Sequence, residues 1–102
     1  MDRYKLAREF AQEVKGKYKG NIHSIVLFGS VAKGKEKKGS DIDLLVISKK
    51  RIYSGLKEPI SKILKKGVVP EVLNLSVSEF NKMKERGSPL YFTIHEEGIK
   101  IA

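Results

Sequence analysis

Two aspartates one residue apart, Asp41 and Asp43, open a segment that is otherwise apolar: Ile42, then Leu44-Leu45-Val46-Ile47. In a β-strand side chains alternate between faces, so Asp41 and Asp43 project together while Ile42, Leu44 and Val46 project from the other side. Their Cα atoms are then roughly 6–7 Å apart. Ionised carboxylates that close repel each other unless a cation lies between them. Two divalent ions about 3.5–4 Å apart can share such ligands and clamp the attacking and leaving oxygens of a phosphoryl-type displacement. Upstream, Gly29-Ser30 follows an apolar run and precedes Val31-Ala32-Lys33. Glycine lets backbone N–H groups approach a phosphate, the serine hydroxyl adds a donor, and the start of a helical turn favours negative charge. Lys33, Lys35, Lys37 and Lys38 stand where they can neutralise a triphosphate. Each feature alone is ordinary, since Gly-Ser is usually a turn, Asp-x-Asp is common and a lysine run is usually a solvated face. Their order and spacing combine an anion cradle with a metal pair on neighbouring strands, as nucleotidyl transfer requires.

The elements that must position these residues follow from periodicity. Residues 2–18 predict an amphipathic helix, with Ala7, Phe10, Ala11, Val14 and Tyr18 at helical spacing. Ile22 to Phe28 reads as a buried strand, Val31-Ala32-Lys33 as a helical turn, and 34–40 as a glycine- and lysine-rich loop. A second strand runs from Asp41 to Ile47. A helix starts near Glu58, because Pro59 suits a first turn, and turns Ile60, Ile63 and Leu64 to the core until Gly67. Val68 to Ser76 is the third strand. Ser76-Val77-Ser78-Glu79 has capping-box spacing and predicts a helix to Arg86, stopped by Gly87. Ser88-Pro89 opens a last helix, Gly98 closes it, and Ile99-Lys100-Ile101 is a short final strand. The expected fold is α/β (α+β), a small mixed sheet with helices packed on one face, and residues 1–102 form a single domain.

Composition narrows the chemistry. A chain of 102 residues with 40% hydrophobic and 32% charged residues is globular rather than disordered, and it buries one modest core. With no cysteine, disulfides, thiolate zinc sites and cysteine nucleophiles are excluded, and two histidines make an imidazole metal site improbable. Carboxylates remain, and they favour hard cations such as Mg²⁺. The net charge of +9 indicates an anionic partner: nucleotide, nucleic acid, or solvent alone. Between Lys33 and Lys66 eleven basic residues face four acidic ones. The excess of Lys and Glu is weakly thermophilic in character. No apolar run is long enough to span a bilayer, and the start from Met1 to Lys5 has no secretion signal, so a cytoplasmic protein without membrane partners is expected.

Gly-Ser-Val-Ala-Lys-Gly, five residues, then Ser-Asp-Ile-Asp-Leu-Leu-Val resembles the signature of the DNA polymerase beta-like nucleotidyltransferase superfamily, in its minimal nucleotidyltransferase branch. The likeness extends over most of the chain, but its specificity lies in residues 29–46. It implies that Gly29 and Ser30, with Lys33, hold the triphosphate. Asp41 and Asp43 bind two Mg²⁺ ions, and an acceptor hydroxyl attacks the α-phosphate with loss of pyrophosphate. The family has a third carboxylate on a later strand, commonly Asp. Aligning Pro70 to Ser76 with that strand puts Glu71 there as catalytic and metal residue, one methylene longer. Alternatively, Glu71 is a strand-edge residue beside Pro70, facing water.

Many minimal nucleotidyltransferases resembling this chain are antitoxins. They transfer AMP from ATP to a tyrosine of a small helical HEPN-type ribonuclease toxin, which is the partner and activity the resemblance implies. A small-molecule nucleotidyltransferase is the alternative, although such enzymes generally need a further domain for the acceptor. A catalytically weak nucleotide- or partner-binding module is another. Nucleic-acid binding is not favoured, since the lysine field lacks interleaved aromatics or a reading helix. Homo- or hetero-oligomerisation is compatible with so small a core. His23, His95, Tyr91 and Phe92 read as structural, the two aromatics as core packing, while Tyr53 carries no signal.

Overall fold

The computed structural model describes residues 2–52 and 54–102, so Tyr53 and Met1 at the chain start lie outside the described residues. Helix α1 spans Arg3–Lys17 and is capped by Asp2, whose carboxylate accepts from the Lys5 N–H. Its buried stripe is Ala7, Phe10, Ala11 and Val14, the i, i+3, i+4, i+7 pattern of an amphipathic helix. Then come β1 (Ile22–Phe28), α2 (Gly29–Ala32), β2 (Ile42–Ser48), α3 (Lys57–Leu64), β3 (Pro70–Ser76), α4 (Val77–Glu85), α5 (Pro89–Glu97) and β4 (Ile99–Lys100). Among the described residues no helix is long and apolar enough to cross a membrane.

The sheet has the order β3-β2-β1-β4 and is mixed, as expected. Strand β2 is antiparallel to β1 and parallel to β3, and β4 is antiparallel to β1. A parallel pair cannot be joined by a tight turn, and α3 makes the crossover between β2 and β3.

The helices do not lie on one face. Ile42, Leu44 and Val46 join a cluster with the α1 stripe, Ile25, Leu27 and Ile63 of α3. On the opposite side Leu45 and Ile47 pack with Leu75 and Ile94, and with Val77, Phe80 and Met83 of α4. The expectation of a one-sided sheet is therefore corrected: α1 and α3 cover one face, α4 and α5 the other. The reason is the unbroken apolar run from Leu44 to Ile47, which must be covered on both sides. Leu64 and Phe92, expected in the core, are about half exposed at 51% and 50%. Along β1 a bulge between Ile22 and Ser24 breaks the alternation that would have aligned His23 with Ile25 and Leu27.

Two polar devices tie loops to this frame. Asn74 of β3 donates to the Val46 carbonyl (3.0 Å) and the Ser48 hydroxyl (3.1 Å), and accepts from the Ile52 N–H at 2.6 Å. It thereby stitches the segment after β2 to the sheet. At the start of α4 the expected capping box is formed: the Ser76 hydroxyl accepts from Glu79 N–H (3.1 Å), and Glu79 Oε1 accepts from Ser76 N–H (2.9 Å). That backbone hydrogen bond holds the Glu79 carboxyl below its ordinary value of 4.5, and the nearby Arg51 and Lys82 charges assist.

Asn74→Ala should cost about 1–3 kcal/mol, because a partly buried carbonyl and N–H lose their partner together; chemical denaturation of both proteins measures it. A depressed carboxyl pKa contributes stability that is complete above the unfolded value and is lost as pH falls through the folded one. The stability gap between the wild type and Glu79→Gln should accordingly be widest at neutral pH and shrink below about pH 4.5, as paired denaturation curves across that range would register.

Candidate active site

The register of the sheet gathers the acids. Asp43 pairs with Phe28 on β1 and, on the other side, with Glu71 on β3. Asp41 stands one residue ahead of β2, and its neighbours on both sides are anchored. The Ser40 hydroxyl accepts from Lys37 N–H (2.7 Å), the Ser40 carbonyl accepts from Arg3 Nε (3.0 Å), and Ile42 N–H donates to Val69 (3.0 Å). The alternation that sends Leu45, Ile47, Leu73 and Leu75 to the α4–α5 face sends Asp41, Asp43 and Glu71 there too, at the open end beyond the core.

Glu71 is solvent-exposed but does not stand apart from the other acids. Its pKa is raised above the ordinary 4.5, first by a hydrogen bond to Asp43 that only a protonated carboxyl can donate, then by repulsion from Asp43 and Asp41. Among the described residues no three His, Cys, Asp or Glu side chains are already closed around one metal position. The carboxylates are near enough to perturb one another. Their all-oxygen chemistry is the donor set that hard divalent cations prefer, and the repulsion between them is what such a cation would relieve.

Across from the acids, β1 ends at Phe28 and the chain turns at Gly29, whose φ of +75° is a left-handed conformation that side chains rarely adopt. A Cβ on Gly29 would also overlap Asp43 Oδ2, so the carboxylate lies directly against this glycine. The short α2 follows. Lys33 N–H donates to the Gly29 carbonyl (3.2 Å) and Lys35 N–H to the Ser30 carbonyl (2.9 Å), closing the corner on itself. Gly29, Ser30, Asp41, Asp43 and Glu71 are therefore all placed at one end of the sheet.

Lys33 is placed beside this corner, with a partner that sequence reasoning missed. Its Nζ lies 3.1 Å from Glu97 Oε2. That oxygen is shielded from solvent and makes an ion contact without a well-aligned hydrogen bond. The only sequence signal was the acidic pair Glu96-Glu97 before Gly98. Lys35, Lys37 and Lys38 are exposed on the loop. His23 (Nδ1 3.2 Å from Ser24 Oγ) belongs to the opposite end of β1, and His95 stacks on Tyr91 with ring centroids 5.8 Å apart. A hollow of about 750 Å³ between α1 and α3, lined by Leu6, Phe10 and Ile63, is on the face away from the carboxylates.

Residues 7–101 match the nucleotidyltransferase domain family, and the chain belongs to it. Over 82 residues it is 37% identical to a Methanocaldococcus jannaschii protein named "Putative protein adenylyltransferase MJ0604", covering 80% of this chain and 82% of that one. It is also 51% identical over 41 residues to a second protein of that organism, "Putative protein adenylyltransferase MJ1305", covering 40% of this chain and 28% of the relative. Among solved structures, a toxin–antitoxin determined with AMP-PNP has the same fold: TM-score 0.63 at 16% identity, over 93% of this chain and 72% of that one. The chain is accordingly an enzyme of the nucleotidyltransferase class.

Since three like charges crowd one strand end, Glu71→Gln should stabilise the protein at neutral pH when divalent ions are chelated. Urea unfolding in EDTA should give a higher midpoint for the variant; an equal or lower midpoint would mean that the three acids do not strain the fold.

Proposed function

We propose that this chain is a Mg²⁺-dependent nucleotidyltransferase that moves AMP from ATP to a hydroxyl of a partner protein, a tyrosine on a HEPN-type toxin, and so acts as its antitoxin. The observation that carries this reading is the register that sets Glu71 beside Asp43, with Asp41 next to them and the Gly29 corner against the Asp43 carboxylate. Adenylyl transfer to protein is supported by the names of the M. jannaschii relatives, and an adenine nucleotide and a toxin partner by the structurally similar toxin–antitoxin with AMP-PNP.

In this reading Asp41, Asp43 and Glu71 hold the metal, and Gly29, Ser30 and Lys33 hold the phosphate tail. Bound Mg²⁺ supplies charge neutralisation and Lewis acidity toward the reacting phosphoryl group. The corner at Gly29 offers backbone N–H groups and the Ser30 hydroxyl to the β- and γ-phosphates, fixing the nucleotide so that its α-phosphorus faces the acids. The acceptor oxygen attacks there, forms the new P–O bond and gives up its proton to the Glu71 carboxylate. The α–β anhydride bond breaks and pyrophosphate leaves. Glu71 does the work the family usually assigns to Asp, and its longer side chain reaches the same site from β3.

Incubation of the wild type with labelled ATP, Mg²⁺ and the co-expressed protein of a neighbouring gene should label that protein on tyrosine. Asp41→Asn and Asp43→Asn should each reduce labelling at least about 100-fold, the scale for losing a group that stabilises transition-state charge. Label that appears only in a small-molecule acceptor would move the assignment to the small-molecule transferases. ATP bound without pyrophosphate release, whatever the acceptor, would leave a nucleotide-binding module.

A further inference from the structure

The ion pair between Lys33 and Glu97 joins the phosphate corner to an element that the phosphate-binding motif does not include. Ile99 pairs with Leu27 and Lys100 with Val26, so β4 begins, directly after the end of α5, beside the last residues of β1 before the turn. The approach is close: a Cβ on Gly98 would collide with the Ile94 carbonyl and a Val26 methyl, so the end of α5 lies tight against β1. The end of α5, fixed there by the β4 pairing that follows it, thus brings Glu97 to Lys33. Lys33 stands one helical turn after Gly29, tied to it by a backbone hydrogen bond of 3.2 Å.

We propose that Glu97 is a positioning residue for the triphosphate: it holds the Lys33 ammonium at the Gly29-Ser30 corner so that the enzyme grips the β- and γ-phosphates rather than the nucleoside. This rests on the phosphate-binding reading above and adds a residue to it. A lysine has three donors on a flexible four-carbon stem. The ion contact with Glu97 keeps the ammonium in place, leaves its donors for phosphate oxygens and removes much of the freedom the stem would otherwise lose on binding. Glu97 Oε2 is shielded from solvent and has no hydrogen bond, so the ammonium is the group that compensates its charge. Both side chains stay partly open, at 41% for Lys33 and 35% for Glu97, which leaves the ammonium reachable by a ligand and makes the coupling moderate.

The test compares AMP-PNP with AMP, both in Mg²⁺, by calorimetric titration of the wild type, Glu97→Gln, Lys33→Ala and the double variant. Glu97→Gln keeps the shape of the side chain and removes its charge. It should weaken AMP-PNP by roughly two- to five-fold, the scale of a partly exposed ion pair, and leave AMP unchanged. In the Lys33→Ala background the same substitution should add nothing. Equal weakening of both nucleotides, an unchanged or tighter AMP-PNP constant, or a full additional loss in the Lys33→Ala background would each overturn the proposal while leaving the functional reading intact. Failure of the wild type to bind AMP-PNP at all would instead sink that reading, and this inference with it.

Discussion

Strand β2 has to satisfy two opposed demands, and most of the architecture answers them. From Leu44 to Ser48 every residue is buried, which requires a cover on each face of the sheet. At its leading end the same strand carries carboxylates that cannot be buried unpaired. A strand with apolar partners on both sides and charge at its tip can sit only at the centre of the sheet, with that tip reaching past the covering helices. The central position in the order β3-β2-β1-β4 follows, and so does the need for neighbours that end near the same level. Apolar packing over Leu44, Leu45, Val46 and Ile47 thus holds like charges near one another when electrostatics alone would part them. A net charge of +9 lowers the cost further, because the acids sit in the field of a basic molecule.

Much of this was visible in the residues before any coordinates. Alternation along β2 put Asp41 and Asp43 on one face, and the ladder pairs Asp43 with Glu71 directly. The capping box at Ser76 and the proline start of α5 are local signals and appear where local chemistry places them. What stayed hidden was non-local. That β4 returns beside β1, bringing Glu97 to Lys33, depends on strand order, and no periodicity encodes strand order. The two-sided cover is written in the unbroken apolar run of β2, whereas each helix taken alone shows only that it has a face to bury, not which side of the sheet it covers. The bulge at His23 shifted side chains that strict alternation would have turned inward. Phe92 is apolar by type yet half exposed, because Ile94 supplies the main α5 contact with the sheet.

The site is an open corner rather than a cleft. Chains of this size have little interior to spare for a cavity, and here the candidate groups are displayed at the sheet end where a second molecule can approach. Rigidity comes from beneath: Arg3, Ser40 and Val69 hold the backbone on both sides of Asp41, and the corner after β1 closes its own hydrogen bonds. The lysines of the loop between them, Lys35, Lys37 and Lys38, are exposed and add positive charge beside the acids.

The packing of Gly29 against the Asp43 carboxylate has an evolutionary consequence. No other natural residue offers so small a surface at that bend, so drift at position 29 pushes against the oxygen atom at position 43. The segment that would cradle the nucleotide's tail and the segment that would hold the ion are separate stretches of chain, yet the first has no room for a side chain at position 29 as long as the second keeps its carboxylate at position 43.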